Sequence, residues 1–494
     1  MRIFKFVLGK VLGGLFAIAA MVLLVGVWKL QMLPTTLVTL VGVLVALITA
    51  LVIVLTWSGE GKVRMTIGII VAVIGIAAMC VGSFYVWKAV NTLNSLSAGG
   101  TETVQVGVCM RADDDRELAA DMKFGVLPEG EATDSVIEKL NKDLKSEITC
   151  AEYESSVALL EALLKGDLDA MILNRAYLDV LVDLPGYEEK LTKLREVFSH
   201  NVEVEIPEDN KGGTEDPEQP NYTSLKDSFA VYISGIDARG GKVSVKGRSD
   251  VNIVAVVNPK TRQVLLVNTP RDYYVPISSP NPSWDGKKDK LTHAGLGGPD
   301  SSRETLSNLY GIDISYYFKV NFSGFVNIVD ALDGITVHSD FNFRYTEDDG
   351  TVYYYQKGEN QLNGKEALGF CRNRYSFADG DNQRGKNQML VIKGIINKAL
   401  SPKLLTNYTQ ILDAVSGSME MTVPMDVIGD LVSRQLSEGG AWNVVSYSVT
   451  GSGGYEKSPA AGGEKAYMMF PNEASVERAK ELIQDVIDGK VPNP

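Results

Sequence analysis

Histidine and cysteine are scarce in this chain, with three of the first and four of the second in 494 residues. The histidines, His200, His293 and His338, are scattered. A serine triad therefore has one candidate near any cluster of charge, His293 in KLTHAGLGGP, whose ordinary role is hydrogen bonding within a loop. No GxxxxGK[ST] loop, HExxH or CxxC occurs, which removes nucleotide-hydrolase, zincin and thioredoxin-like readings. Of the cysteines, Cys80 lies in an apolar run and Cys371 in a stretch that reads as an apolar strand. Cys109 and Cys150 sit in short strand-like runs of one segment, and spacing leaves two options open, a disulfide or two buried free thiols.

Basic charge is also in deficit. The net charge is −13, and residues 1–90 alone carry seven Lys+Arg against one acidic residue. The remainder therefore stands at −19, which argues against a nucleic-acid partner and makes any local group of arginines conspicuous.

Long apolar runs, by contrast, come first. Leu8 to Trp28, Thr35 to Trp57 and Thr66 to Trp87 each hold about 20 residues, enough to cross a bilayer as a helix. A removable signal peptide fits poorly, because the first run is too long and two more follow it. Arg2, Lys5 and Lys10 precede the first run, and Lys62 and Arg64 separate the second from the third; only Lys29 and Lys88 mark the other side. Retention of Lys and Arg in the cytoplasm predicts a multi-pass plasma-membrane protein with a cytoplasmic amino terminus and everything after about residue 90 outside. Trp28, Trp57, Trp87 and Tyr85 fall where interfacial aromatics are expected.

The chain then divides by composition into a membrane region (1–90), a small polar tether (91–103), an extracytoplasmic accessory unit (104–206), a linker dense in Pro, Gly and acids (207–225) and a larger unit (226–490). Within the accessory unit, VQVGVCM, KFGVLP, DAMILN and VEVEI read as strands, with helices at Asp134 to Ser146 and Ser155 to Lys165, an α/β alternation. It carries no catalytic constellation, which leaves a binding module or a structural spacer. In the larger unit, Phe322, Phe325, Val326, Val329 and Leu332 recur at helical spacing, giving one apolar face that is either core or the wall of a lipid-binding groove. Asn382 to Leu400 reads as a helix stopped by Pro402, and Glu473 to Asp488 as an outer helix.

The stretch that organises this unit runs from Gly235 to Arg271. Val251 to Val257 and Val264 to Val267 are rich in β-branched residues, and Asn258-Pro259-Lys260 between them predicts an antiparallel hairpin. Arg248, Asp250, Arg271 and Asp272 then meet at its open end. In Phe370 to Tyr375, read as a strand, Arg372 and Arg374 share a face. Such a pair of like charges is tolerable around an anion, and guanidinium forks suit phosphate. Asp381, Arg384 and Gln388 share one face of the following helix. With Asp237, Asp250 and Asp272 as hard oxygen ligands beside these arginines, the pattern suits a diphosphate with Mg²⁺, the rival reading being structural ion pairs.

The blocks GIDAR, GRSDVNIVAVVNPKTRQVLLVNTPRD, KLTHAGLGGPDSSRETLSNLYGI, YYFKVNFSGFVNIVDALDGITV and LNGKEALGFCRNRYSFADGDNQRGKNQ resemble, in order and spacing, the LytR-CpsA-Psr family of cell-envelope ligases. Membrane helices and an accessory module ahead of the ligase unit are similar to its CpsA-type members. The resemblance implies an α/β domain with a central sheet flanked by helices, and a Mg²⁺-dependent phosphotransferase that moves teichoic acid or capsular polysaccharide from a polyprenyl-pyrophosphate carrier to peptidoglycan. By matching position it implies Asp237 and Asp250 as Mg²⁺ ligands, and Arg248, Arg271, Arg303, Arg372, Arg374 and Gln388 around the pyrophosphate. Arg384 lies in the equivalent helical motif, Asp381 is the acid/base chosen for the acceptor hydroxyl, and Phe322, Phe325, Val326 and Val329 line a lipid tunnel. Thr269, Asn268 and Asp333 depart from the family's usual isoleucine, serine and glycine. Two alternatives stand beside the ligase: a membrane-bound regulator that binds lipid-linked glycans without turning them over, and a pyrophosphate hydrolase.

Overall fold

The computed structural model describes residues 2–30, 35–57, 62–97, 101–128, 130–205, 228–236, 247–374, 376–377, 380–399, 401 and 419–494. The predicted linker 207–225, Asp237 and the helix stop at Pro402 lie outside the described residues. The chain folds into two compact units.

The first unit contains the helices Arg2–Leu30, Thr35–Trp57 and Lys62–Ser97, together with the helix Met425–Glu438. The stretches Val7–Leu30, Thr35–Trp57 and Val63–Asn91 are long and apolar enough to cross a membrane. Large apolar side chains such as Leu40, Leu47, Ile74 and Phe84 are exposed along them, as a lipid-facing surface requires. The third helix runs on to Ser97 and a strand begins at Thr101, so most of the expected tether is regular structure. No breaker interrupts the helical sequence before Gly99-Gly100.

The second unit carries two sheets. The first orders Cys150–Glu152, Phe124–Val126, Ala170–Asn174, Thr101–Arg111 and Leu194–Glu205 side by side. Val106, Val108 and Met110 point to one face, where they meet Val136 and Leu140 of the helix Gly130–Leu144. Cys109, Met171 and Leu173 point to the other, under Leu159, Leu160 and Leu163 of the helix Ser156–Lys165. Cys109 and Cys150 are free. Their strands are separated by two others, which puts them roughly 14 Å apart at the usual strand spacing, beyond disulfide reach.

The second sheet has six strands in the order Met419–Met421, Tyr316–Asn321, Phe229–Ile236, Val251–Asn258, Gln263–Asn268 and Asn443–Ser448. Its centre is the predicted hairpin, with Ile253 opposite Asn268 and Asn258 opposite Gln263. Asn258 closes the turn, its Oδ1 accepting from the amides of Lys260 and Thr261 at 3.1 Å and its Nδ2 donating to the Val486 carbonyl at 2.8 Å. Alternation sends Val254, Val256, Leu265 and Val267 to one face, beneath Leu482, Ile483 and Val486 of the helix Glu473–Ile487. Ile253, Ala255, Val264 and Leu266 go to the other, beneath Met389 of the helix Asp381–Ala399. Each fully buried valine, leucine or isoleucine among them contributes about 1.5–3 kcal/mol. The sheet is thus central and flanked by helices. One continuous core joins it to the first sheet, from Leu160, Met171 and Val180 through Trp284 and Ala460 to Tyr232 and Leu265.

The segment around Cys371 is not a strand. Helix Gly364–Arg372 opens on a capping box, in which Asn363 accepts from the Glu366 amide and Glu366 reaches back to the Asn363 amide. That local N-terminal signal outweighs the strand-like run at its far end. Cys371 is therefore helical, and Arg372 and Arg374 are the last helical residue and the second beyond it, so period-two spacing does not put them on one face. Tyr375 lies outside the described residues.

Candidate functional site

Three features hold the segment Arg248–Asp250 at the open end of the hairpin. The buried Tyr232 hydroxyl lies 2.9 Å from Ser249 Oγ and 2.8 Å from Asn252 Oδ1. Ser249 Oγ donates to the Val251 carbonyl at 2.8 Å. Gly295 allows close approach from the far side, since a Cβ there would stand 2.6 Å from the Gly247 carbonyl. Arg271 follows the partner strand, and its carbonyl accepts from the Thr292 amide at 2.9 Å, which sets Lys290 beside it.

These constraints bring cations and carboxylates together at one rim. Arg271 Nη1 donates to Asp250 Oδ1 at 2.5 Å, and its Nε lies 3.7 Å from Asp272. Lys290 Nζ, on a side chain only 3% exposed, lies 3.3 Å from Asp272. A further carboxylate arrives from the first sheet's layer: Asp183, which caps the helix Ala176–Val182. Its Oδ2 accepts from Arg248 Nη1 at 2.8 Å, lies 3.1 Å from Lys290 Nζ and 3.3 Å from Arg271 Nη2. Burial works to raise the Asp183 pKa, but Arg248, Lys290 and Arg271 outweigh it and hold the group at about 2.

Arg384 and Gln388 are brought to this end of the sheet by close packing. A Cβ on Gly385 would stand 2.3 Å from Asn268 Nδ2, so the first turns of the helix Asp381–Ala399 rest against the strand that leads to Arg271. Gln388 is buried one turn on from Arg384. Asp381 opens this helix, and its side chain lies outside the described residues.

Arg372 is carried by helix Gly364–Arg372, whose start is fixed by the Gly364 amide donating to Asp330 Oδ1 at 2.7 Å. Its guanidinium lies 5.0 Å from the Phe322 ring centre and 6.0 Å from that of Tyr345, a cation–π arrangement. Arg374 is exposed. Arg303 serves a local purpose, pairing with Asp300 at 2.9 Å and donating to the Ile314 carbonyl at 2.8 Å; among the described residues nothing joins it to the Asp183 cluster. In the helix Phe322–Ala331, Val329 is fully buried, whereas Phe322, Phe325 and Val326 are half-buried.

His293 is helical and buried, with Nδ1 2.9 Å from Asp289 Oδ1. Ser458 Oγ donates to the same carboxylate at 2.8 and 2.9 Å, and the Ala460 amide does so at 2.9 Å. Burial acts to raise the Asp289 pKa, but His293 and the backbone amides of Ala460 and Lys290 hold it below the usual range. Serine and histidine both bind the carboxylate, so this is a structural clamp without the relay order of a triad.

Among the described residues no group of three or more His, Cys, Asp or Glu is placed to hold a metal. Asp250 is nonetheless suited to a hard cation: its Oδ1 is held by Arg271, and its Oδ2 has no partner among the described residues. Sequence reasoning missed two members of the cluster. Lys290 stood within a matched block as an ordinary lysine. Asp183 carries no local signal, because its partners lie 65 to 107 positions away in the chain.

A family model, the LytR_cpsA_psr family, matches residues 192–483. Over 208 residues the chain is 38% identical to the polyisoprenyl-teichoic acid–peptidoglycan teichoic acid transferase TagU of Bacillus licheniformis, covering 42% of this chain and 64% of that protein. The Enterococcus faecalis TagU is 38% identical over 202 residues, 41% of this chain and 63% of its own length. TagU of Bacillus subtilis is 36% identical over 229 residues, 46% and 70% respectively. The chain thus spans a little under two thirds of the first two relatives. Among solved structures, B. subtilis TagV is 28% identical with a TM-score of 0.44, covering 53% of this chain and 98% of that one. TagT bound to LI-WTA is 27% identical with a TM-score of 0.41, covering 55% and 98%.

Proposed function

The chain belongs to the LytR-CpsA-Psr family, and on that premise we propose that it is a membrane-anchored phosphotransferase moving a glycopolymer from a polyprenyl-pyrophosphate carrier to peptidoglycan. One observation carries this reading: Arg248, Arg271 and Lys290 converge within 3.3 Å of a single carboxylate oxygen. Cations of like sign gather so closely only around an anion, and guanidinium forks match phosphate oxygens. The names of the relatives favour a teichoic acid as the polymer. In topology, the amino terminus is cytoplasmic and the second unit faces outward, where both the lipid-linked donor and the wall reside.

In the reaction, an acceptor sugar hydroxyl attacks the phosphorus that bears the glycan. A new P–O bond forms, the bond to the bridging oxygen breaks, and polyprenyl phosphate leaves. The hydroxyl proton passes to the Asp381 carboxylate. Arg248, Arg271 and Lys290, with Arg372, Arg374, Arg384 and Gln388 as further donors, hold the diphosphate and stabilise the charge that builds on the bridging oxygen. Mg²⁺, when bound by Asp250 and Asp237, supplies further charge neutralisation at the phosphate oxygens. Phe322, Phe325 and Val326 offer the prenyl chain an apolar surface.

The test is release of polyprenyl phosphate from a lipid-linked donor by the purified chain with peptidoglycan fragments and Mg²⁺. Release that requires the acceptor is the expected result. Release without acceptor identifies a hydrolase, and binding without release a non-enzymatic binder.

A further inference from the structure

Asp183 comes from the layer built on the first sheet, yet its carboxylate is seated among the cations of the second, with Oδ2 2.8 Å from Arg248, 3.1 Å from Lys290 and 3.3 Å from Arg271. We propose that Asp183 is a specificity-determining residue for the donor: its carboxylate stands in for one phosphate, so that only an anion engaging more of the cluster than a carboxylate does, a diphosphate, displaces it. The proposal rests on the reading of this cluster as the diphosphate seat and names what guards it.

Three observations support it. Arg248 Nε is buried and has no hydrogen-bond partner among the described residues. A buried guanidinium donor left unserved is costly, and the two oxygens of a carboxylate already engaged with Arg248 Nη1, Lys290 and Arg271 do not reach it. A phosphate presents a third oxygen to the same fork. Charge points the same way. Among the described residues of this cluster Asp183, Asp250 and Asp272 pair with Arg248, Arg271 and Lys290, so Asp183 occupies the cations that a weakly held monoanion would otherwise engage. Finally, Asp183 is delivered by packed backbone: Val180, Leu181 and Leu184 around it are buried in the core that the two sheets share. The carboxylate therefore returns to the same seat whenever the site empties, which also favours release of the monophosphate product.

The experiment measures binding of inorganic pyrophosphate and of inorganic phosphate to the purified full chain, wild type against Asp183→Asn, by calorimetry at pH 7. The substitution is expected to tighten both ligands and phosphate more, shrinking the preference for pyrophosphate about tenfold. An unchanged preference, or weaker binding of both, overturns the proposal. A second measurement needs no variant. Pyrophosphate added to the wild type is expected to speed amide hydrogen exchange at Asp183, Leu184 and Gly186 as the carboxylate is displaced, and unchanged or slower exchange there overturns the idea. Arg271→Ala separates the two readings. If it abolishes pyrophosphate binding while Asp183→Asn matches wild type, the diphosphate seat stands and the guard role fails; if neither wild type nor Asp183→Asn binds pyrophosphate, both fail together.

Discussion

Arg271 and Asp250 meet at 2.5 Å across the open end of one hairpin, although 21 positions separate them in the chain. The contact is a product of register: Ile253 faces Asn268, so the residues just before one strand and just after the other are necessarily neighbours. Each has a second task, Arg271 towards Asp183 and Asp250 through its Oδ2, which has no partner among the described residues.

Removing either member has separable effects. Arg271→Ala is expected to lower transfer by about 100-fold, as loss of a charge-stabilising group does. Asp250→Asn should keep pyrophosphate binding without metal but abolish the increase that Mg²⁺ brings. Titration of both variants with pyrophosphate, with and without Mg²⁺, checks this; an Asp250→Asn protein that responds to Mg²⁺ like wild type removes Asp250 from the metal site.

Arg372 stacks on Phe322 and Tyr345, so charge and stacking can be told apart there. Arg372→Lys is expected to keep part of the transfer activity and Arg372→Ala almost none, because lysine retains the charge without the planar fork. Near-normal turnover in Arg372→Ala would remove this residue from the phosphate site.

Gly364 tests the packing that aims this arginine. An added Cβ would lie 2.3 Å from the Val326 carbonyl oxygen, a backbone atom that cannot swing aside. Gly364→Ala is therefore expected to destabilise the protein by about 1–3 kcal/mol, read as a lower denaturation midpoint.

Acid should act through Asp183. Its pKa is depressed on folding to about 2, against roughly 3.9 in an unfolded chain. The stabilisation is thus fully present above about pH 5 and lost as pH falls towards 2, amounting to about 2–3 kcal/mol. Asp183→Asn should flatten that part of the stability curve and leave the region above pH 5 parallel to wild type. Equal acid slopes in both proteins would count against the ion cluster.

Thiol chemistry offers a simpler check. Burial pushes the Cys109 thiol up to about 11, and all four cysteines are free. Reducing agent is expected to leave the melting temperature unchanged, and Cys109 to resist thiol reagents until the protein is denatured. A reductant-dependent melt would reveal a disulfide that this fold does not accommodate.

Much of the site was legible from the chain because its logic is local. Two β-branched runs and a turn place Arg248, Asp250, Arg271 and Asp272 together with no further information. The helical spacing of Arg384 and Gln388 survives as one face of the helix Asp381–Ala399. Asp333, noted for standing where a glycine is usual, does occupy a left-handed turn, with φ of 59°. The strand expected at Phe370 to Tyr375 failed because a capping box seven residues upstream of Phe370 nucleates a helix that runs on to Arg372.

Alternation, apolar length and turn chemistry are properties of neighbours along the chain, and they were enough to determine the three long apolar helices, the hairpin and the rim of charge. What only the folded molecule decided is which carboxylate sits among the cations and which arginines stay apart. Asp183 reaches Arg248, Arg271 and Lys290 because two sheets bury one continuous apolar core between them, whereas Arg303 is held by Asp300 and Ile314 beside its own helix. Coulomb forces act over ångströms of space, and sequence distance does not measure them.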